Sequence, residues 1–133
     1  MENSVHVDEL SRIVVDECIR IHRELGPGLL ESVYETVLSA VLMRRDLKVE
    51  RQVPVDIQYD GLKIPGAFRI DLLVEGVLTL EIKSVEALTN LHAKQLLTYL
   101  RLTNRTLGLL LNFSGETMKE GIRRVANNHG RAQ

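Results

Sequence analysis

The fold is decided by the stretch Ala67-Phe-Arg-Ile-Asp-Leu-Leu-Val-Glu-Gly-Val-Leu-Thr-Leu-Glu-Ile-Lys83. Apolar residues dominate on both sides of Glu75-Gly76, where a glycine marks the expected connection between two strands. The pattern predicts two consecutive strands, at about 67–74 and 77–83. Strands joined by so short a loop pair in antiparallel fashion.

Each predicted strand carries a charged triplet, Arg69-Ile-Asp71 in the first and Glu81-Ile-Lys83 in the second. Because side chains alternate along a strand, the outer residues of each triplet share one face. Charged residues are rarely buried without partners, so two acids and a lysine are unusual in a plain core. The two triplets are therefore the first candidates for a functional site.

The register of the two strands decides whether these charges meet. A three-residue loop at 74–76 makes Arg69 face Glu81. Asp71 then lies diagonal to Glu81, about 7–8 Å away, whereas a two-residue loop would place the two acids on opposite faces. Two carboxylates on one face suit Mg²⁺ or Mn²⁺, which could polarise a phosphodiester and activate a water. Lys83 could orient that water or stabilise the charge on the phosphate.

Upstream of this stretch, the hydrophobic spacing changes from a helical period to a strand period. The predicted elements are helices at about 8–25 and 30–45, then strands at about 49–59 and 62–64. Gly26-Pro27-Gly28 ends the first helix, and Asp60-Gly61 is typical of a hairpin turn. We expect the chain to break again at Pro65-Gly66 before the strand at 67–74 begins.

Downstream, the pattern predicts a helix at about 91–102, an apolar strand at 107–113 and a last helix at 116–128. The order α-α-β-β-β-α-β-α predicts an α/β (α+β) fold with a mixed central sheet, in which helices flank an antiparallel meander. The length of 133 residues suits one domain, spanning 1–133 with an ordered core at about 8–128.

Composition excludes several functional classes. A net charge of −1 is unlike that of proteins that coat nucleic acid nonspecifically, and aromatic residues make up only 4% of the chain. The single cysteine, Cys18, excludes an internal disulfide and a zinc site built on several thiolates. No apolar run reaches the ~20 residues of a membrane span. The polar N-terminus does not resemble a signal peptide, so we expect a cytoplasmic protein that does not bind membranes.

Two helices contribute further candidates. Glu31 lies in the first turn of the second helix, where the helix dipole stabilises an anion, so it either serves a site or stabilises only the helix. Glu35 lies one turn later and can share its face. Gln95 and Tyr99 are four residues apart on the third helix, which makes them either a stripe facing the site or an ordinary solvated face. Arg69 could bind a phosphate or neutralise Glu81.

These residues fall into motifs that resemble a known family. The motifs are Gly28-Leu-Leu-Glu31-Ser-Val-Tyr34, Arg69-Ile-Asp71, Glu81-Ile-Lys83, Gln95-Leu-Leu-Thr-Tyr99 and the strand at 107–113. Together they resemble the GxxExxY family, small prokaryotic proteins within the PD-(D/E)XK nuclease superfamily. The resemblance extends over about residues 10–127. It implies a restriction-endonuclease-like core, which agrees with the order of elements derived from periodicity.

The resemblance also implies a role for each matching residue. Asp71 and Glu81 would bind the metal, and Lys83 would be the catalytic lysine. Glu31 would be the acid contributed by the first core helix. Gln95 and Tyr99, which follow the core, would match the Gln-plus-Tyr motif of recombination nucleases. Glutamate at position 81 is an accepted variant, and many members lack the Pro-Asp dipeptide that is also missing here.

The resulting hypothesis is a nuclease that requires Mg²⁺ or Mn²⁺ and hydrolyses phosphodiester bonds of DNA. One alternative is a catalytically silent module with a nuclease fold that binds nucleic acid or a protein partner. Another is an enzyme subunit that needs a homodimer or a second protein to build its groove. A small-molecule hydrolase is disfavoured, because the sequence has neither a nucleophile motif nor a glycine loop that could hold a phosphate.

Overall fold

The computed structural model describes residues 2–128. Three α-helices, five strands and one 3₁₀ turn form within this range. In chain order they are α1 (Glu2–Leu25), α2 (Glu31–Met43), β1 (Val49–Tyr59), β2 (Leu62–Val74), β3 (Leu78–Lys83), α3 (Asn90–Leu102), β4 (Leu107–Asn112), the 3₁₀ turn (Lys119–Gly121) and β5 (Ile122–Ala126). None of the described helices is both long and apolar enough to cross a membrane.

The five strands form one sheet in the order β1-β2-β3-β4-β5. Neighbouring strands are antiparallel except β3 and β4, which are parallel and joined through α3. A parallel pair needs a crossover connection of this kind. The predicted fold class, a mixed sheet with an antiparallel meander and flanking helices, is confirmed.

Helices cover both faces of the sheet. On one face, α1 and α2 pack through residues such as Val14 and Leu38 against Leu80 of β3 and Leu109 of β4. On the other face, a smaller cluster joins α3 to β4 and β5, with Leu96 packed against the sheet. Because side chains alternate along β3, the residues on either side of Leu80 point towards the face that α3 covers. The central strand is thus buried on both sides.

A tyrosine fixes the connection between α1 and α2. The Tyr34 hydroxyl donates to the carbonyl of Gly26 (2.5 Å) and accepts from the Leu29 amide (3.2 Å). The Tyr34 ring stacks on Phe113 with 4.3 Å between ring centroids. Tyr34 is fully buried. Tyr34 therefore fixes where α2 starts, and this start determines the positions of the acids on that helix.

The first hairpin is longer than predicted. We expected a break at Pro65-Gly66, but β2 runs through it without interruption. Instead, the register between β1 and β2 shifts next to this dipeptide. Gly66 adopts a positive φ of 57°, and its amide donates to Asp56 (2.8 Å). A glycine tolerates this conformation, so the strand bulges rather than ends.

The last predicted helix, at 116–128, is wrong. After the 3₁₀ turn, residues Ile122–Ala126 form β5 and pair antiparallel with β4. The apolar residues Met118, Ile122 and Val125 have helical spacing, but β4 would otherwise leave a buried edge with unpaired backbone groups. The chain satisfies those groups with a fifth strand. The last positions of the chain, 129–133, lie outside the described residues.

Candidate active site

The β2–β3 hairpin brings the two predicted acids face to face. Its paired residues are Leu72 with Leu80, Leu73 with Thr79 and Val74 with Leu78. Continuing this register by one residue places Asp71 opposite Glu81. The prediction that Arg69 faces Glu81 is therefore wrong by two residues, although the two acids do share a face. The loop begins one residue later than assumed, and Val77 closes the turn by donating to Val74 (3.0 Å).

The two acids are held by the backbone of the opposite strand. The Ile82 amide donates to Oδ2 of Asp71 (2.8 Å), and the Asp71 amide donates to Oε2 of Glu81 (3.2 Å). At Asp71 and Glu81, the hydrogen bonds between β2 and β3 therefore run from backbone amides to side-chain carboxylates. Each carboxylate thus has one oxygen fixed by a strand, which limits its rotation.

Burial and proximity make ionisation of the pair costly. Glu81 is only 6% exposed. Burial, followed by the negative charge of Asp71, raises the pKa of Glu81 to about 8. The pKa of Asp71 is also raised, first by burial and then by the charge of Glu35, while the nearby Lys83 ammonium opposes both shifts. A buried acid and a half-buried acid beside one lysine leave an excess of negative charge that a cation could offset.

A third acid lies next to the pair. Glu35 on α2 is buried and accepts hydrogen bonds from Arg51 (3.2 Å) and from the amide of Gln52 (2.8 Å). The same Gln52 amide also reaches Oδ1 of Asp71, at 3.4 Å. From the sequence, Glu35 is a second candidate after Glu31, and Gln52 is not singled out. A glutamine on the polar face of a strand gives no signal that separates it from solvated neighbours.

Glu31 has a different place. Its side chain is exposed, and Oε2 accepts a hydrogen bond from the Ser84 amide (2.8 Å). Ser84 directly follows Lys83, so Glu31 helps to fix the chain that carries the lysine. This contact joins the start of α2 to the end of β3.

Tyr99 lies beside the pair, whereas Gln95 and Arg69 make no direct link to it. The Tyr99 ring stacks on Phe68 with 3.9 Å between centroids. Burial and the charges of Glu81 and Asp71 raise the Tyr99 pKa. Gln95, one turn earlier on α3, is exposed. Within residues 6–128, no hydrogen bond joins Gln95 or Arg69 to the acids, so Arg69 does not neutralise Glu81.

A buried asparagine fixes the loop beyond Lys83. Asn112 pairs with Lys83 across the parallel strands. Its Oδ1 accepts from the Val85 amide (3.0 Å), and its Nδ2 donates to the Val85 carbonyl (2.9 Å). Asn112 was not singled out from the sequence. Its position in an almost wholly apolar strand was the available signal, since a buried amide needs partners.

The donor set suits a hard cation with few protein ligands. In the described part of the chain, no three acidic, histidine or cysteine side chains come close enough together to hold a metal ion. Asp71 and Glu81 therefore form a pair rather than a complete cage. Mg²⁺ is typically bound in this way, by one or two carboxylates with waters and substrate phosphates in the remaining positions. The residues present fit such a cation.

Comparison with solved structures gives two chains with significant matches. One is the crystal structure of SSO0001, with a TM-score of 0.53 at 19% sequence identity. The match covers 73% of this chain and 50% of that one, so this chain spans about half the length of that protein. At this level of identity, the similarity supports the fold. A comparison with curated proteins gives no significant match.

A sequence model of the PD-(D/E)XK nuclease superfamily matches residues 8–125. The match includes α2, the β2–β3 hairpin with its facing acids, α3 and β4, and therefore every candidate residue described above. It extends over nearly all of the described structure. The chain belongs to the PD-(D/E)XK nuclease superfamily.

Proposed function

We propose that this chain is a nuclease that requires Mg²⁺ or Mn²⁺ and hydrolyses phosphodiester bonds of DNA, and that it is a member of the GxxExxY family. The observation that carries this proposal is the pairing of Asp71 with Glu81, with Lys83 on the same strand face as Glu81. Superfamily membership supports a nuclease-type function. The metal requirement and the choice of DNA are our inferences.

Asp71 and Glu81 would hold the cation through the oxygens that the backbone does not use. Oδ2 of Asp71 and Oε2 of Glu81 are occupied by backbone amides, which leaves Oδ1 and Oε1 to act as ligands. A bound divalent cation supplies Lewis-acid chemistry, because it polarises a phosphodiester and lowers the pKa of water. Its charge would also allow both acids to stay ionised at neutral pH.

The remaining residues would act on the substrate. Lys83 presents an ammonium beside the two acids, where it can orient a water or stabilise negative charge on the phosphate. Arg69 is exposed, lies two residues before Asp71 and is not used in an ion pair in the described structure, so it is free to contact a phosphate. Gln95 and Tyr99 would border the site along α3.

A long substrate would be held by local contacts rather than by the overall charge of the chain. The net charge of −1 provides no general attraction for DNA. We therefore propose that binding depends on the cation and a few local contacts, and that a homodimer or a protein partner completes the groove. Action on nucleic acid is consistent with a cytoplasmic location.

A silent module with a nuclease fold is the alternative, and one observation favours it. Both acids already serve the structure, because each accepts a backbone hydrogen bond across the hairpin. Carboxylates kept only to terminate a strand ladder would bind no cation. The two readings differ in whether Asp71 is needed for metal binding.

The deciding experiment measures cleavage of supercoiled and single-stranded circular DNA with Mn²⁺ or Mg²⁺. Wild type is compared with Asp71→Asn, Lys83→Ala and the surface control Lys63→Ala, which lies near the tip of the first hairpin. We expect wild type and the control to cleave only with metal. The Asp71 and Lys83 variants should lose ~100-fold or more in rate, the scale for loss of a group that stabilises transition-state charge.

If wild type does not cleave DNA, calorimetry with Mn²⁺ distinguishes the possible reasons. If wild type binds Mn²⁺ in a manner that depends on Asp71 but does not cleave, the substrate or a partner is missing. If wild type neither binds Mn²⁺ nor cleaves DNA, the nuclease proposal is wrong for this chain, and the silent module is correct.

A further inference from the structure

Two consecutive residues of β1 bind the same carboxylate. Arg51 donates to Oε2 of Glu35 at 3.2 Å, and Gln52 donates to Oε1 of Glu35 at 2.8 Å. In a regular strand, successive side chains point to opposite faces, so one acid cannot normally be reached by both. Something in the backbone must turn one of the two side chains.

The side chain is reoriented at Gln52, because its backbone φ of 51° lies in the left-handed region. Its neighbours remain in register, with Arg51 paired to Leu72 and Val53 paired to Ile70. The ladder therefore continues on both sides of a single residue with an unfavourable backbone conformation. Non-glycine residues seldom adopt this conformation, and where the surrounding structure imposes it, such residues cluster at functional sites.

The conformation gives the Gln52 side chain a specific position. Its Nε2 lies 2.8 Å from Oε1 of Glu35 and 3.4 Å from Oδ1 of Asp71. One amide group thus bridges an acid on α2 and an acid on β2. Without a donor between them, two carboxylates this close would repel each other and move apart.

We propose that Gln52 is a positioning residue, which ties Asp71 to Glu35 on α2 and so fixes the orientation of the Asp71 carboxylate for a cation. This inference rests on the proposed metal-dependent function. It assigns Gln52 no contact with the substrate. The amide sets the separation of the two acids before a cation arrives, and the backbone strain at position 52 is the cost of placing it there.

The charges around the bridge agree with this role. The groups that face Asp71 are Glu35, Glu81 and Lys83, and Glu35 raises the Asp71 pKa while the Gln52 amide lowers it. Arg51 neutralises the other oxygen of Glu35. Gln52 is therefore the neutral donor that keeps the inner oxygens of two acids together.

Gln52→Gly tests the proposal because it separates the backbone from the side chain. Glycine relieves the left-handed strain, so the unfolding midpoint in urea should stay the same or rise. The loss of the amide should weaken Mn²⁺ binding by about ten-fold or more, the usual effect of removing a group that orients a ligand. A merely structural side chain would lower stability and leave Mn²⁺ affinity unchanged.

The matched control is Asp60→Gly. Asp60 also has a positive φ, 50°, but lies at the tip of the first hairpin. It should gain similar backbone relief and bind Mn²⁺ like wild type. If Gln52→Gly and Asp60→Gly bind Mn²⁺ equally well, the proposal is overturned.

A second measurement decides the case in which wild type binds no Mn²⁺. That outcome removes the proposed metal-dependent function. A double-mutant cycle of Gln52→Gly and Glu35→Met in EDTA still tests the bridge, because residues in contact show non-additive changes in stability. We expect the change in stability of the double variant to differ from the sum of the two single changes; strict additivity would show that Gln52 does not hold Glu35.

Discussion

Asp71 and Glu81 each accept a hydrogen bond from the backbone of the β2–β3 hairpin, at 2.8 Å from the Ile82 amide and 3.2 Å from the Asp71 amide, respectively. The pair is therefore rigid before any ligand binds. A preorganised pair of like charges destabilises the metal-free protein and stabilises the cation-bound one, because the cation removes the repulsion. Stability and metal binding should be linked through these two side chains.

The first prediction concerns pH. The Glu81 pKa rises from 4.5 to about 8 on folding, so between these values the folded protein binds more protons than the unfolded one. Stability in EDTA should therefore be highest in acid and fall as the pH rises from about 4.5 to about 8. Because each pKa unit corresponds to about 1.4 kcal/mol, urea unfolding between pH 5 and pH 9 should resolve the change easily.

Glu81→Gln provides the control for this pH dependence. Its neutral side chain can still accept the Asp71 amide, so most of the slope should disappear while the fold is kept. Saturating Mg²⁺ should restore the stability of wild type at pH 8 and have little effect on the variant. A wild-type slope that equals the slope of Glu81→Gln would contradict the assignment of the shift to Glu81.

The second prediction concerns Thr79, which is fully buried on β3. Its Oγ1 has no hydrogen-bond partner among the described residues. A buried hydroxyl without a partner costs about 1–3 kcal/mol, and valine has nearly the same shape. Thr79→Val should therefore stabilise the protein by about 1 kcal/mol, as measured by urea unfolding.

Thr103→Val is the matched control, because the Thr103 hydroxyl donates to the Tyr99 carbonyl at 2.8 Å. Losing that bond should destabilise the protein by about 1 kcal/mol. The two variants should thus shift the unfolding midpoint in opposite directions. A loss of stability in Thr79→Val would mean that Thr79 has a partner, such as an ordered water.

Whether the register of β2 and β3 is even or odd explains how much of the site the sequence could predict. Asp71 and Glu81 share a face in any register that shifts by an even number of residues, so their meeting followed from strand alternation and an odd loop. Which residues stand directly opposite depends on where the turn closes. Glu75 and Gly76 both adopt positive φ values, 54° and 70°, and the pattern of hydrophobic residues does not encode which residue closes such a turn.

Two features of the structure depend on contacts between residues that are distant in the sequence, and the local sequence pattern does not encode them. Ile122–Ala126 has the spacing of a helix and becomes a strand because β4 offers an edge to pair with. Gln52 reaches two acids through a backbone conformation that its residue type disfavours. Both features are imposed by tertiary structure on a local sequence that favours something else.

The third prediction compares Gly121, which ends the 3₁₀ turn, with Gly108 on β4. A Cβ at Gly121 would lie 2.0 Å from the carbonyl oxygen of Asn112, a backbone atom that cannot move without disturbing β4. A Cβ at Gly108 would meet only the flexible end of Leu96, at 3.0 Å. Gly121→Ala should cost about 4 kcal/mol or more, whereas Gly108→Ala should cost about 1–3 kcal/mol.

Thermal unfolding of both variants checks this comparison. Because Asn112 also holds the loop after Lys83, any folded Gly121→Ala protein should in addition lose activity. Equal losses of stability for the two substitutions would contradict this prediction. They would show that the backbone around Gly121 can move away from the Asn112 carbonyl to make room for a Cβ.

The last prediction separates the two acids of α2. Glu35 is buried, is bridged to Asp71 through Gln52 and raises the Asp71 pKa, whereas Glu31 is exposed and accepts from the Ser84 amide. Glu35→Gln should therefore weaken Mn²⁺ binding by about ten-fold, and Glu31→Gln should leave it nearly unchanged, as measured by calorimetry. Glutamine at 31 can still accept from Ser84, which makes the pair well matched. If Glu31→Gln has the larger effect, Glu31 is the helix acid of the metal site, as the family resemblance implies, and Glu35 serves only to anchor Arg51.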